Sequence, residues 1–198
     1  MGITVDDIKK LKELTGVGLT DAKTALVEAD GDFDKALEAM RKKGLTKAEK
    51  KGDRETREGV VDSYVHSGRI GVVVEVNCET DFVARLPEFQ EFAHQIAMQI
   101  AAMNPKYATM EDIPAEDMAA KKKELLESDA LKSKPAEMAD KIVEGQLKKH
   151  FAEQVLAEQA FVLDDSMTVG ERIKEQIAKS GENIRVSQFK RVELGVTE

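Results

Sequence analysis

An α+β fold is predicted for this chain on three observations. Three short helical stripes separated by glycine-containing breaks occupy residues 4–43, two alternating apolar segments flank a Ser-Gly turn near residue 68, and a long one-sided helical pattern follows Pro87. A period near 3.6 residues marks helices and a period of two marks half-buried strands. Helices, then a hairpin, then helices and a closing strand give helices gathered on one side of an antiparallel sheet. The expected architecture is an N-terminal three-helix domain followed by a core with a small antiparallel sheet packed against helices.

Thr4 with Asp7 three residues on resembles a capping box, and Val5, Ile8, Leu11 and Leu14 form the first apolar stripe. Thr15-Gly16-Val17-Gly18 interrupts it. Thr20 is predicted to cap a second helix with the face Ala22, Ala25, Leu26 and Ala29, which Asp30-Gly31 ends. Asp32 then caps a third helix carrying Phe33, Ala36, Leu37 and Met40. These stripes share one small core, so residues 1–44 are expected to form a helical head, marginal in size on its own. In the stretch 41–57, Arg41, Lys42, Lys43, Lys47, Lys50, Lys51, Arg54 and Arg57 oppose only Glu49, Asp53 and Glu55. Residues 45–57 therefore read as an exposed, partly helical basic linker. Without interleaved aromatic residues the stretch lacks the stacking platform that single-stranded nucleic acid uses.

The remaining residues, 58–198, read as the α+β core. Val60, Val61, Tyr64 and Val65 lead to the turn His66-Ser67-Gly68-Arg69, after which Ile70, Val72, Val74, Val76 and Cys78 alternate with more exposed positions. Pro87 sits at the first turn of a helix with Phe89, Phe92, Ala93, Ile96, Ala97, Ile100 and Ala101 on one face, stopped by Asn104-Pro105. A charged helix over 115–127 packs through Met118, Leu125 and Leu126. Another is expected from Pro135 to Glu158, a rod of about 36 Å at 1.5 Å per residue. Phe161-Val162-Leu163 reads as extended and ended by Asp164-Asp165. Thr168 and Glu171 form a second capping box, and Gly181 closes that helix. From Ile184 to Leu194 the apolar phase moves from even positions to Phe189 and back, which implies either a bulge or two covered faces in a strand returning to the early hairpin.

Composition narrows the function. The 30 Lys and Arg against 38 Asp and Glu give a net charge of -8, unsuited to general nucleic-acid binding, where a basic surface neutralises phosphates. Cys78 is the single cysteine and falls on the apolar side of its strand, which suits packing in a reducing compartment. No apolar run approaches a membrane span and the first residues lack a signal-peptide pattern, so a cytoplasmic location without membrane association is expected. His66, His94 and His150 are far apart and unpaired at metal spacing, Gly68-Arg69-Ile70-Gly71 leads from one strand into another and presents no helix N-terminus to a phosphate, and there is no Walker-type Gly-Lys-Ser/Thr loop. No catalytic residue, cofactor or metal is therefore assigned.

One segment has two readings. Asn77-Cys78-Glu79-Thr80-Asp81-Phe82-Val83-Ala84-Arg85 joins the most apolar strand to the helix at Pro87, a connection too short for a core of its own. Phe82 either seals the interior beneath it or protrudes as an aromatic anchor flanked by charge, the composition of protein-interface hot spots.

Thr80-Asp81-Phe82-Val83-Ala84 after Glu75-Val76-Asn77-Cys78, with Leu11-Lys12-Glu13-Leu14-Thr15-Gly16-Val17-Gly18 and Ala29-Asp30-Gly31-Asp32, resembles the bacterial translation elongation factor Ts family in its short single-core form. Ile113-Pro114, Lys134-Pro135, Ala139-Asp140-Lys141-Ile142-Val143-Glu144-Gly145, Gln159-Ala160-Phe161-Val162, Gly181-Glu182-Asn183-Ile184 and Arg191-Val192-Glu193-Leu194-Gly195 continue the likeness in the family's order. The resemblance implies a guanine-nucleotide exchange factor for elongation factor Tu, with a ubiquitin-associated-like (UBA-like) head and a core that also serves dimerisation. It implies partner contacts at Thr80, Asp81, Phe82, Val83 and Ala84 and, on the head, at Val17 and Gly18. Asp81 and Phe82 would enter the G domain near its magnesium and phosphate site and so release GDP. Members with a single core pair as homodimers, which is expected here. Family members commonly carry His where this chain has Gln99, and an amide cannot take up a proton as His does. The alternative from another class is a small nucleic-acid-associated or ubiquitin-like adaptor, separable by salt because phosphate contacts weaken steeply as salt rises.

Overall fold

In the computed structural model, which describes residues 3–15, 17–127 and 136–196, the first capping box closes as its spacing predicts. The Thr4 amide donates to Asp7 Oδ2 and the Asp7 amide to Thr4 Oγ1, both at 3.1 Å. Helix α1 (Val5–Thr15) follows. Its inward stripe is Ile8, Leu11 and Thr15, whereas Val5 and Leu14 are exposed, because a head this small covers only one narrow face. Thr20 does not cap α2 (Leu19–Glu28): the cap falls two residues earlier, at Gly18, with no side-chain cap. Asp32 does cap α3, accepting from the Lys35 amide at 3.1 Å. Leu11, Ala22, Ala25, Leu26, Ala36 and Met40 form the core that the three helices share.

Helix α3 (Phe33–Glu49) continues through Gly44 into the basic stretch. A single glycine costs about 1 kcal/mol in a helix interior, and the good helix formers that follow, with Ala48 buried, carry the chain past it. Residues 51–54 are also tied down, since Lys51 Nζ donates to the Gly181 carbonyl at 2.5 Å and Asn183 Nδ2 donates to the carbonyls of Gly52 and Arg54.

Strands β1 (Glu58–His66) and β2 (Ile70–Cys78) form the predicted antiparallel hairpin, with Val72, Val74, Val76 and Cys78 buried on one face. Gly59 in β1 has φ +153°, and a Cβ there would collide with the Val76 carbonyl oxygen and lie 2.7 Å from Asn77 Cα, so the close crossing of the strands requires glycine. After β2 come a short helix α4 (Asp81–Ala84) and α5 (Pro87–Met103). His94 of α5 meets Asp62 of β1 at 2.8 Å and sets its ring edge-on to Tyr64, 5.8 Å between centroids, which ties the helix to the sheet. Strand β5 (Arg185–Glu193) pairs with β2, giving the order β1-β2-β5. Of the two alternatives β5 takes the bulge, two residues before Phe189: Gln188 pairs with Glu75 and Val186 with Val76, which leaves Ser187 over. The result is an α+β fold, N-terminal helices followed by a small antiparallel sheet packed against helices.

The residues up to Met98 and from Glu171 onward make one compact unit, and Gln99–Gly170 make a second. In the second, α6 (Ala115–Leu126) and α7 (Ala136–Ala152) pack around Ile113, Val143, Leu147, Phe151 and Val155, with Met118 and Leu125 against this cluster and Leu126 exposed. The expected start at Pro135 lies outside the described residues. The rod stops at Ala152 rather than at Glu158, because the chain turns to pair with the segment after Asn104-Pro105. There Lys106 and Tyr107 donate their amides to the Gln154 carbonyl, and the Leu156 amide donates to that of Tyr107. Phe161-Val162-Leu163 is not one extended piece either. Ala160–Phe161 (β3) and Asp164–Thr168 (β4) are a small hairpin turning at exposed Val162 and Leu163, so Asp164-Asp165 begins a strand instead of ending one. Helix α8 (Val169–Ser180) follows Thr168, and Gly181, at φ +78°, ends it with its amide on the Ile177 carbonyl. Among the described residues no helix is long and apolar enough to cross a membrane.

Candidate functional site

Strand β2 ends at Cys78, and the two amides that follow leave the sheet ladder. Both find the same acceptor: the N–H groups of Glu79 and Thr80 donate to Glu182 Oε2 at 3.0 Å, and the Thr80 hydroxyl donates to Glu182 Oε1 at 2.6 Å. Thr80 is the N-cap of α4, whose four residues span little more than one turn. At 100° per residue, a helix that turns Val83 and Ala84 inward turns Phe82 outward. Val83 and Ala84 are 8% and 6% exposed, and Phe82 is 78% exposed. Phe82 therefore does not seal the interior, and of its two readings the protruding one matches the geometry. Asp81 beside it is half-buried and pairs with Arg85 at 2.9 Å, one turn along.

A second tier of bonds holds the first. Glu79 Oε1 accepts from the Asn183 amide at 2.6 Å and from Arg54 at 3.3 Å, while Asn183 reaches back to residues 52 and 54. The Cys78 thiol donates to the Thr80 carbonyl at 3.2 Å. Burial, aided by the nearby Glu182 charge, pushes that thiol up to about 11, so it stays protonated and serves as packing. Sequence reasoning noticed Glu182-Asn183 only as part of a family likeness. Its partners stand 102 to 104 positions earlier in the chain, beyond the reach of any local pattern.

The remaining expected contacts lie elsewhere. Val17 is half-buried against the head core, and Gly18 is exposed at the start of α2. No hydrogen bond among the described residues joins them to the Thr80–Ala84 turn. Gln99 is wholly buried in the second unit, donating to Gln159 Oε1 and the Ala160 carbonyl and accepting the Val162 amide at 2.8 Å. This amide is a structural strut. Asp7 and Asp164, each part of a carboxylate pair in the sequence, serve local caps at Thr4 and Ser166. Among the described residues no group of three His, Cys, Asp or Glu side chains could hold a metal ion.

Held backbone beneath and an exposed aromatic ring above mark this rim of the α+β fold as its candidate site. Comparison with known proteins gives the family. The family model described as Elongation factor TS matches residues 7–196. Proteins named Elongation factor Ts from Thermotoga petrophila and Thermotoga maritima are each 53% identical over 196 residues, covering 98% of this chain and 98% of theirs. One from Caldanaerobacter subterraneus is 50% identical over 195 residues, 98% of this chain and 97% of its own. The chain belongs to the elongation factor Ts family, whose members are nucleotide exchange factors and not catalytic enzymes.

Proposed function

We propose that this chain accelerates GDP release from elongation factor Tu by inserting the Thr80–Ala84 segment into the partner's G domain, where Asp81 and Phe82 disturb the magnesium and phosphate site. The observation that carries the reading is Phe82, 78% exposed on a backbone turn fixed by Glu182. Burying such a side chain in a partner contributes about 1.5–3 kcal/mol, and only a turn that is already ordered keeps most of it. The Asp81–Arg85 pair, half-buried at Asp81 and open to solvent at Arg85, is of the weak surface kind, so its carboxylate exchanges partners at little cost. The factor and GDP favour incompatible arrangements of one partner, so their binding energies oppose each other, and that coupling is reciprocal. GTP then refills the emptied site and expels the factor. The deciding measurement is release of labelled GDP from elongation factor Tu with and without this protein. Tightening of the complex with falling salt as steep as a phosphate contact requires would favour the adaptor reading instead.

The head is proposed as a UBA-like domain that touches the same G domain through Val17 and Gly18, with residues 45–57 leading to a core from residue 58. Because α3 runs to Glu49, the clean cut falls after residue 50. Deletion of residues 1–50 is expected to leave a cooperatively melting core with weakened exchange, and full exchange by that fragment would remove the head from the mechanism.

The core is also proposed to pair with a second copy of the chain. Val61, Val65, Val73 and Val192 project from the outer face of the three strands, 50–70% exposed, with Val65, Gly71 and Val192 in one cross-strand row. A twofold pairing of such faces is the common route to a closed homodimer. Light scattering should give about twice the chain mass of 21.9 kDa. Lysine at Val73 and Val192 should return it to the monomer value without unfolding.

A further inference from the structure

The turn that carries Asp81 and Phe82 is far too short to form by itself, since one helical turn fixes several dihedral angles for a single hydrogen bond. Its orientation comes from the loop between α8 and β5. Glu182 spends one carboxylate oxygen on two consecutive amides and the other on the Thr80 hydroxyl, three bonds between 2.6 and 3.0 Å. The Thr80 oxygen, with its proton so committed, faces the Val83 amide at 3.5 Å and starts α4. Gly181 takes the positive φ that turns the chain toward the rim, and Asn183 locks Glu79 from the other side. Phe82, 78% exposed, has little packing to aim it.

We propose that Glu182 is a positioning residue for exchange: its carboxylate sets the direction in which Asp81 and Phe82 leave the rim, and it acts through them without touching the partner. The inference rests on the exchange reading above. Without the carboxylate, the amides of Glu79 and Thr80 turn to water, the turn samples several orientations, and the anchor loses the preorganisation that makes its burial effective.

The test is a cycle on the full chain using stimulated GDP release. Glu182→Ala should lower release about tenfold, the scale of one hydrogen bond to a charged group, and Glu182→Gln, which keeps an acceptor, should fall between. In a Phe82→Ala background the same Glu182→Ala change should cost clearly less than about tenfold, what remains passing through Asp81, because residues acting as one unit are not additive. Full release by Glu182→Ala, or an undiminished loss in the Phe82→Ala background, overturns the proposal. Backbone amide exchange reads the clamp apart from function: Glu79 and Thr80 should be protected in the unmodified protein and at least about tenfold faster in Glu182→Ala. If Phe82→Ala leaves release untouched while those amides respond, the exchange reading has failed and the clamp has not. Should Glu182→Ala fail to fold, Thr80→Val keeps the carboxylate and its two backbone bonds but removes the hydroxyl that joins Glu182 to the cap of α4, and release unchanged by it also overturns the proposal.

Discussion

Phe82→Ala is expected to leave the melting temperature almost unchanged and to reduce stimulated GDP release from elongation factor Tu roughly 10- to 150-fold. The fold term is small because the ring is 78% exposed and its removal opens no cavity; surface changes of this kind stay within about 0.5 kcal/mol. The functional term is large because the ring is available to be buried in a partner, where about 1.5–3 kcal/mol converts to that range of rates. Asp81→Ala should weaken release in the same direction but with a stronger dependence on magnesium, since its proposed effect is on the surroundings of the metal. Thermal melting beside GDP release across a magnesium titration checks both. Early melting of Phe82→Ala, or normal release by a stable variant, would remove Phe82 from the mechanism.

Ten residues further on, Phe92→Ala should show the opposite signature. Phe92 is fully buried, 6.5 Å from the Phe89 ring between centroids, and the Arg172 guanidinium lies 5.1 Å over its face. Removing it leaves a cavity between α5 and its neighbours and discards a cation–π contact. The expected cost is about 3–5 kcal/mol, much of the stability of a domain this size. Denaturant unfolding should report that loss. Whatever fraction remains folded should release GDP at close to the normal rate per folded molecule, because Phe92 belongs to the support and not to the contact. A folded Phe92→Ala protein with normal stability would contradict the packing described here.

The two phenylalanines also show where local reasoning reaches. Phe92 was readable as core because it repeats at helical spacing with Phe89, Ala93 and Ile96, and all four are buried. Phe82 has no such neighbours in phase, so both of its fates were open until the inward turn of Val83 and Ala84 was known. The misplaced elements have the same origin. Nothing in the residues before Glu158 stops a helix, yet α7 ends at Ala152 because Gln154 and Leu156 bond to the segment at Tyr107. The β3–β4 hairpin was missed because two residues are too few for a period.

By itself the sequence determined the strands of the hairpin, the caps at Thr4 and Asp32 and the buried face of α5, because these rest on periodicity and short-range hydrogen bonding, and its motifs carried the family likeness. Only the tertiary structure decided that Phe82 stands clear of the core, that Gln99 is a buried strut, and that Glu182 and Asn183 hold the rim. Those outcomes depend on partners 60 or more positions away, as with Gln99 and Gln159 or Thr80 and Glu182, and such pairs leave no mark in local sequence. A side chain's neighbours along the chain set the conformation it prefers; which groups desolvate it or bond to it is set by chain segments that meet only on folding.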